Sequence, residues 1–272
     1  MLSEMTKGRI RALILAVALL AALPAQAAVP CGGSFEAWLE GFRREAAAHG
    51  ISPRALAALN GVSYDENVVA RDRRQGVFRQ TFEQFSARMI SADRMRVGAR
   101  KLKQFAGTFE RIEQRFAVPG AVITAIWGLE TDFGVNQGNF ATIRALASLA
   151  YDCRRTEKFQ AELMDALRIV ERGDLTPAEM RGAWAGEIGQ TQFLPSSYLK
   201  FAIDFDGNGK RDLIHSAPDV LASTANYLQG YGWKRDQPWD PGTANFDVLR
   251  EWNKSEVYSK TVAEFARRLE QE

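Results

Sequence analysis

The sequence predicts a mainly α-helical protein with at most a small β element. Apolar residues recur at helical spacing, as at Phe35, Trp38, Leu39 and Phe42. Strand signals are short and weak, and the best of them lies at 246–249. With 46% hydrophobic residues among 272, the chain can bury the core of one compact domain or of two small ones.

Residues 1–27 have the three parts of a secretory signal peptide. Basic residues at 7–11 precede an apolar run at 12–23, and small residues follow at 25–27. A membrane anchor is the alternative, but the run is shorter than the roughly 20 apolar residues of a membrane-spanning helix. We therefore predict export, cleavage near Ala27, and a soluble mature chain without a membrane span.

The net charge excludes one class of partner. The chain has 35 Lys and Arg residues against 33 Asp and Glu residues, and it contains no long basic block. Loss of residues 1–27 removes three basic residues and one acidic residue, which leaves the remainder nearly neutral. Nucleic acid is therefore not an expected partner.

Two cysteines, Cys31 and Cys153, occur in this chain with an export signal. Such a pair is expected to form one disulfide, joining the N-terminal segment to the middle of the chain. Two free thiols are the alternative, and a metal site is disfavoured because only His49 and His215 could join the cysteines. Lipidation of Cys31 is a further alternative, although Pro30 directly before it suits a lipidation site poorly.

Helix signals continue along the chain. Ser52 and Pro53 suit the N-cap and the first turn of a helix. The region 78–116 has a long amphipathic pattern with Arg and Lys on its outer face. Farther on, the segment 176–179 has the capping-box sequence Thr-Pro-Ala-Glu, which predicts another helix start.

A carboxylate, Glu130, stands on an otherwise apolar stretch that reads AIWGLETDFG at 125–134. Pro119 suits the first turn of a helix over 121–131, and Gly134 suits its end. At spacings of three and four, Glu130 shares the stripe of this helix that faces the core. The apolar residues of that stripe are Ile123, Ile126 and Trp127.

Burial and the nearby negative end of the helix dipole should both raise the pKa of Glu130. A carboxylic acid that is protonated near neutral pH can donate a proton to the leaving oxygen of a glycosidic bond. A solvated or salt-bridged glutamate at a helix end is the alternative. Asp132, two positions on, should point away from Glu130 and serve as a capping or surface residue.

A second stretch, 186–198, reads GEIGQTQFLPSSY. Its glycines, glutamines and proline make a turn rich in amide donors and acceptors, which suits polar uncharged ligands such as sugars. An ordinary loop followed by a helix cap is the alternative. A third stretch, DFDGNGKRDLIHSAPDVLASTANYL at 204–228, begins like a calcium-binding loop.

Together these three ordered stretches resemble the lytic murein transglycosylase B family of bacterial cell-wall enzymes, within the lysozyme-like superfamily. The resemblance extends from about residue 34 to the C-terminus. It implies a helical region at 28–115 packed on a lysozyme-like α+β catalytic core at 116–272, in a compact version without an added wall-binding domain. It also implies a periplasmic location and peptidoglycan glycan strands as the partner.

The resemblance assigns roles to single residues. Glu130 takes the position of the one catalytic glutamate, and Gln192 that of a glutamine lining the sugar site. The segment 246–266 resembles the last active-site segment of the family and places Asn253 and Tyr258 beside that glutamate. The stretch at 186–198 adds two further candidates for substrate binding, which are Phe193 and Tyr198.

The implied reaction cleaves the bond between N-acetylmuramic acid and N-acetylglucosamine without water and leaves a 1,6-anhydro ring. Glu130 would act first as acid and then as base, and no cofactor is required for the chemistry. A non-catalytic peptidoglycan-binding or scaffold protein is one alternative. A hydrolytic muramidase is another, and it would need a positioned water or a second carboxylate.

Glu187 stands where members of the family commonly have a small residue. Three roles are open to it: binding the peptide stem of peptidoglycan, changing the pKa of Glu130, or facing solvent. We take exposure to solvent as the simplest interpretation.

The loop at 204–219 begins with the order of an EF-hand calcium loop, but its twelfth position is His215 instead of the usual glutamate. The resemblance implies a longer loop that a later aspartate closes. A loop satisfied by its own Asx-turns is the alternative to a structural Ca²⁺ site. The candidate ligands are Asp204, Asp206, Asn208, the carbonyl of Lys210, Asp212 and Asp219.

Overall fold

The computed structural model describes residues 29–74 and 80–272, so the predicted signal peptide lies outside the described residues. In these ranges α-helices dominate, which confirms the predicted fold class, and none of these helices is long and apolar enough to cross a membrane. The regular strands described are β1 (Phe140–Ala141) and β2 (Arg181–Gly182), which pair antiparallel. The helices are α1 (Phe35–Ala48), α2 (Pro53–Leu56), α3 (Glu66–Arg73), α4 (Phe82–Met89), α5 (Ala92–Gln104), α6 (Ala106–Phe116), α7 (Gly120–Thr131), α8 (Thr142–Tyr151), α9 (Thr156–Arg172), α10 (Pro195–Phe201), α11 (Ala217–Gly230), α12 (Ala244–Trp252) and α13 (Glu256–Leu269).

In the described part of the amphipathic region, 80–116, the chain forms three helices, α4 to α6. Ser91 separates the first two because its side chain accepts the N–H of Arg94 and thereby caps α5. Phe105 ends α5 and precedes α6. These breaks let α5 and α6 pack on α7 while α4 packs on α13.

The strand prediction at 246–249 is wrong, because these residues lie inside α12. The side chain of Thr243 accepts the N–H of Phe246 and starts the helix. Phe246 and Leu249 are both buried, and their spacing of three places them on one face of a helix but on opposite faces of a strand.

The helix start predicted at 176–179 is also wrong, although the hydrogen bonds of the capping box form. The Thr176 N–H donates to Glu179 Oε2 at 2.7 Å, and the Glu179 N–H donates to Thr176 Oγ1 at 3.4 Å. They close an isolated turn because the chain enters β2 at Arg181. A capping box is therefore compatible with a turn that no helix follows.

Helix α7 lies at the centre of the fold. Residues 121–129 are all buried, and the helix packs on α13, α5, α6 and α11. A helix that is apolar on all sides must be surrounded by other elements. Glu130, in the last turn of this helix, therefore packs against the protein core on one side.

The predicted disulfide between Cys31 and Cys153 is confirmed, and it links residues 122 positions apart. Beside it, the backbone N–H of Val29 donates to Gln160 Oε1 at 2.9 Å, and Gln160 Nε2 donates to the Val29 carbonyl at 2.7 Å. The N-terminal segment is thus joined by one covalent bond to the loop before α9 and by two hydrogen bonds to α9 itself.

Candidate active site

The end of α7 sets the position of Glu130. Asp132 and Gly134 both have positive φ, at 51° and 89°, and turn the chain away from the helix axis. A side chain at position 134 would place its Cβ 2.4 Å from Gln190 Oε1, so glycine is required there by space as well as by conformation. Asp132 pairs with Arg94, whose Nε donates to Oδ1 at 2.8 Å. Its capping and surface role matches the expectation.

Gln190 joins the end of α7 to the stretch at 186–198. Trp127 Nε1 donates to Gln190 Oε1 at 2.9 Å, and the Thr131 hydroxyl donates to the Gln190 carbonyl. On its other side, Gln190 Nε2 donates to the carbonyl of Ile214 at 2.8 Å. Buried hydrogen bonds of this kind hold three separate segments in one arrangement.

Two side chains from distant segments hold one oxygen of Glu130. The Tyr258 hydroxyl donates to Oε1 at 2.6 Å, and Trp252 Nε1 donates to the same atom at 2.9 Å. The described part of the chain supplies no hydrogen bond to Oε2. One oxygen is therefore fixed, and the other is available to carry a proton towards a ligand.

Glu130 lies in the wall of a cleft with a volume of about 500 Å³. The predicted residues Gln192, Phe193 and Asn253 line the same cleft. The structure thus brings together stretches that are about 120 positions apart in the sequence. The other lining residues are Ala183, Glu187, Leu194, Ser197, Tyr227, Glu251 and Trp252.

Polar and aromatic groups of the cleft are held in place by neighbouring groups. Gln192 Nε2 donates to the carbonyls of Gln137 and Gly189, at 3.0 and 2.7 Å, which leaves its amide oxygen for a ligand. The Phe193 ring meets the Trp252 ring edge-on at 5.4 Å. Amide groups beside rigid aromatic rings suit the polar and apolar faces of a sugar.

The pKa of Glu130 is raised above its ordinary value, and burial of the carboxyl group is the main cause. The hydrogen bonds from Tyr258 and Trp252 stabilise the ionised form and lower the pKa, whereas the negative charge of Glu187 raises it. Burial exceeds the two hydrogen bonds, so the direction agrees with the sequence-based expectation.

The loop at 204–219 gathers three of the six candidate calcium ligands. Carboxylate oxygens of Asp204, Asp206 and Asp219 lie within 4.8 Å of one another. In contrast, Asp212 Oδ1 accepts the backbone N–H of Ile214 and stabilises the turn. Three converging carboxylates fit a hard cation such as Ca²⁺.

The remaining candidate ligands lie in the turn between these acids. Asn208 Oδ1 accepts the N–H of Lys210 at 2.9 Å, as in an Asx-turn. Asp219, on the first turn of α11, accepts backbone N–H groups from Phe205, Asp206 and Asp212. The later aspartate therefore closes the loop from the helix that follows it.

Comparison with known proteins decides the family. Residues 34–243 match the transglycosylase SLT domain family. The chain belongs to this family. It is 34% identical over 155 residues to membrane-bound lytic murein transglycosylase B of Escherichia coli, an alignment that spans 56% of this chain and 43% of that enzyme. Less than half of that relative's length is therefore matched.

Solved structures of this family share the fold. SltB3 from Pseudomonas aeruginosa, in complex with NAG-anhNAM-pentapeptide, is 33% identical with a TM-score of 0.83, covering 88% of this chain and 80% of that one. Lytic transglycosylase Slt35 of Escherichia coli, in complex with calcium, is 22% identical with a TM-score of 0.78, covering 89% and 96%. The similarity to Slt35, at this low identity, shows only that the two proteins share a fold.

Tyr198 does not line the cleft, in contrast to its predicted role in substrate binding. Its side chain is fully buried, and its hydroxyl donates to the carbonyl of Arg211. In α10, Tyr198 lies on the face that packs on α9 and α11. Tyr198 therefore stabilises the 204–219 loop from the protein core, and it is not positioned to contact a ligand in the cleft.

The interpretation of Glu187 as a solvent-facing residue is wrong, because this side chain lines the cleft and is only partly exposed. The Ala185 N–H donates to Glu187 Oε2 at 3.0 Å, so a tight turn directs the carboxylate inwards. Burial raises the pKa of Glu187.

Trp252 is the group that sequence reasoning missed. Its indole N–H contacts Glu130, and its ring packs on Phe193. Its position directly before the candidate Asn253 was the available signal. An apolar residue at a helix end is more readily assigned to the core than to a site.

Proposed function

We propose that this protein is a lytic transglycosylase that cleaves peptidoglycan between N-acetylmuramic acid and N-acetylglucosamine and forms 1,6-anhydro-N-acetylmuramic acid. The observation that carries the proposal is the geometry of Glu130. One of its oxygens is fixed by Tyr258 and Trp252, while the other is available in the cleft. Membership of the transglycosylase SLT domain family supports the same assignment.

The first step uses Glu130 as an acid. Its raised pKa keeps a proton on the carboxyl group, which gives that proton to the leaving glycosidic oxygen as the bond to the muramic acid carbon breaks. The N-acetyl group of the substrate stabilises the positive charge left on that carbon. Tyr258 and Trp252 stabilise the Glu130 carboxylate that results.

The second step uses the same residue as a base. Ionised Glu130 takes the proton of the C6 hydroxyl while the C6 oxygen forms a bond to the anomeric carbon. The attacking group is already part of the sugar, so proximity replaces a bound water. Gln192, Phe193 and Asn253, which line the cleft, would hold the sugar rings in place.

A hydrolytic muramidase is the second candidate function, and one observation favours it. Glu187 supplies a second carboxylate in the same cleft, which could position a water molecule. The products separate the two candidates, because hydrolysis leaves a reducing end and transglycosylation leaves an anhydro end.

The test is mass spectrometry of the fragments that the mature protein releases from purified sacculi. Glu130→Gln removes the acid, and Glu157→Gln, an exposed glutamate on α9, is the matched control. Anhydro-muramic ends that vanish in Glu130→Gln and persist in Glu157→Gln would support the proposal. Reducing ends would indicate a hydrolase, and no release at any pH or calcium concentration would indicate a binding protein.

We also propose that the 204–219 loop binds Ca²⁺ through Asp204, Asp206 and Asp219, with a structural role. The cluster of three carboxylates supports this assignment, and Slt35 was crystallised in complex with calcium. Bound calcium would supply positive charge that holds these carboxylates together. Export to the periplasm is proposed from the signal peptide at 1–27.

A further inference from the structure

The cleft contains two carboxylates besides that of Glu130. Glu130, Glu187 and Glu251 line it, and the described lining residues include no Lys or Arg. Glu251 is paired at the rim, where Lys254 Nζ lies 2.5 Å from its Oε2. Glu187 has no ion-pair partner within 4 Å among the described residues. The interior of the cleft is therefore anionic.

Glu130 and Glu187 line the same cleft, so the charge of Glu187 acts on Glu130. This negative charge disfavours ionisation of Glu130 and raises its pKa. Burial raises the pKa of both Glu130 and Glu187. With Glu130 protonated and Glu187 ionised, the pair carries one proton and one negative charge.

The surroundings place the proton on Glu130. This residue ends the buried helix α7, and the groups that face it are Tyr258 from α13, Trp252 from α12 and Glu187. Tyr258 and Trp252 are uncharged near neutral pH, so none of these groups supplies a positive charge that would offset the effect of burial on the pKa of Glu130.

The surroundings place the negative charge on Glu187. Its carboxylate accepts the backbone N–H of Ala185, and Lys158 on α9 favours the ionised form. Glu162, on the same helix, opposes it, and Ser196 holds the Glu162 carboxylate in place with two hydrogen bonds at 2.8 and 3.0 Å. Backbone donors and Lys158 thus lower the pKa of Glu187, against the larger effect of burial, which raises it.

We propose that ionised Glu187 stabilises the positive charge that develops on the sugar ring when Glu130 gives up its proton. This inference rests on the proposed function and adds a second acidic residue to it. The cleavage passes through a transition state that resembles an oxocarbenium ion. A fixed negative charge in the wall of the cleft stabilises such a cation without reorganisation. Glu187 takes up no proton and forms no bond in the reaction.

The test measures kcat and KM of the mature protein on peptidoglycan oligomers across pH. Glu187→Gln removes the charge at constant size, Glu187→Asp retains it, and Glu157→Gln is the control. We expect Glu187→Gln to lower kcat about tenfold with little change in KM, as for a charge that acts mainly in the transition state. Glu187→Asp should recover part of this loss, and the control should match the wild type.

The pH profile separates this role from a structural one. The wild type should be bell-shaped, because Glu187 must be ionised and Glu130 protonated. In Glu187→Gln the acidic limb should disappear. The alkaline limb should move to lower pH, because loss of the neighbouring charge lowers the pKa of Glu130.

Three results would overturn the inference. One is an unchanged kcat and pH profile in Glu187→Gln, and another is a lower melting temperature with an unchanged profile. The third is release of reducing ends by the wild type that Glu187→Gln abolishes, since Glu187 would then activate water. Failure of the wild type to release any fragment would overturn the proposed function itself, which distinguishes the two.

Discussion

Glu130, which is partly buried in the cleft, and Asp219 in the 204–219 loop are both acids whose pKa is raised chiefly by burial. They differ in their hydrogen-bond donors. Asp219 is fully buried, and backbone N–H groups occupy both of its oxygens at 2.8 to 3.2 Å. Glu130 is held through Oε1 alone, by the side chains of Tyr258 and Trp252.

This difference separates a structural acid from a reactive one. Backbone donors cannot turn away, so Asp219 fixes three points of its loop, and only its Oδ2, which accepts one N–H, keeps a lone pair that a cation could use. Side-chain donors on one oxygen orient Glu130 and leave the other oxygen for proton transfer. The nature of the donors therefore indicates the role of a buried carboxylate better than its pKa does.

The two regions are nevertheless connected. Gln190 donates its backbone N–H to Leu213 and its side-chain amide to Ile214, both carbonyls of the loop. The same residue accepts from Trp127 on α7. Changes in the loop should therefore affect stability first, and should reach the cleft through Gln190 and through Gln137, whose amide donates to Ile214 and whose carbonyl accepts Gln192.

The largest expected effect is the loss of stability on replacement of Asp219. In Asp219→Ala, three backbone N–H groups lose their acceptor, and we expect the free energy of unfolding to fall by about 3 kcal/mol. Urea denaturation measures this change, with the exposed Asp240→Ala as the control. Equal stability of the two variants would show that water or other groups satisfy these donors.

Calcium is expected to stabilise the folded protein through the 204–219 loop. Saturation at 100 times Kd should stabilise the folded protein by about 2.7 kcal/mol, because the ion binds the assembled loop only. Melting curves with calcium or a chelator measure this shift, and Asp204→Asn should reduce it. A shift that Asp204→Asn leaves intact would place the ion elsewhere.

In the cleft, Tyr258→Phe should affect activity more than stability. Loss of the 2.6 Å hydrogen bond removes a donor to ionised Glu130, so the pKa of Glu130 rises and the alkaline limb of kcat/KM moves to higher pH. We expect kcat to fall about tenfold, since the carboxylate formed in the first step is less stable.

Tyr151→Phe is the matched control for this prediction. Its hydroxyl donates to the Gly33 carbonyl at 2.7 Å, outside the cleft. This variant should lose stability without any change of the pH profile. A similar profile shift in both variants would show that the effect of Tyr258→Phe is not local.

The smallest expected effect is a pH-dependent gain of stability in Glu130→Gln. The folded-state pKa of Glu130 lies above its unfolded value, so ionisation destabilises the fold as pH rises past the unfolded value. Below that value both states are protonated, and the variant has no such advantage. Melting temperatures at several pH values should therefore diverge as pH increases, and parallel curves would contradict burial as the cause.

Local signals in the sequence were sufficient for several elements. Helix α7 ends near Gly134 and carries Glu130 on its buried face, as its apolar spacing predicts. The cap at Ser52 and the disulfide of Cys31 and Cys153 follow from residue type and position. These features depend on contacts within one helical turn or on a pair that has no alternative partner.

Only the tertiary structure decided which side chains meet at the site. Trp252 and Tyr258 reach Glu130 across more than 120 positions, Glu187 turns into the cleft, and Tyr198 turns into the core. The turn at 176–179 has its capping hydrogen bonds and yet starts no helix. Local sequence specifies backbone geometry, but the direction of a polar side chain depends on packing against residues far away in the chain.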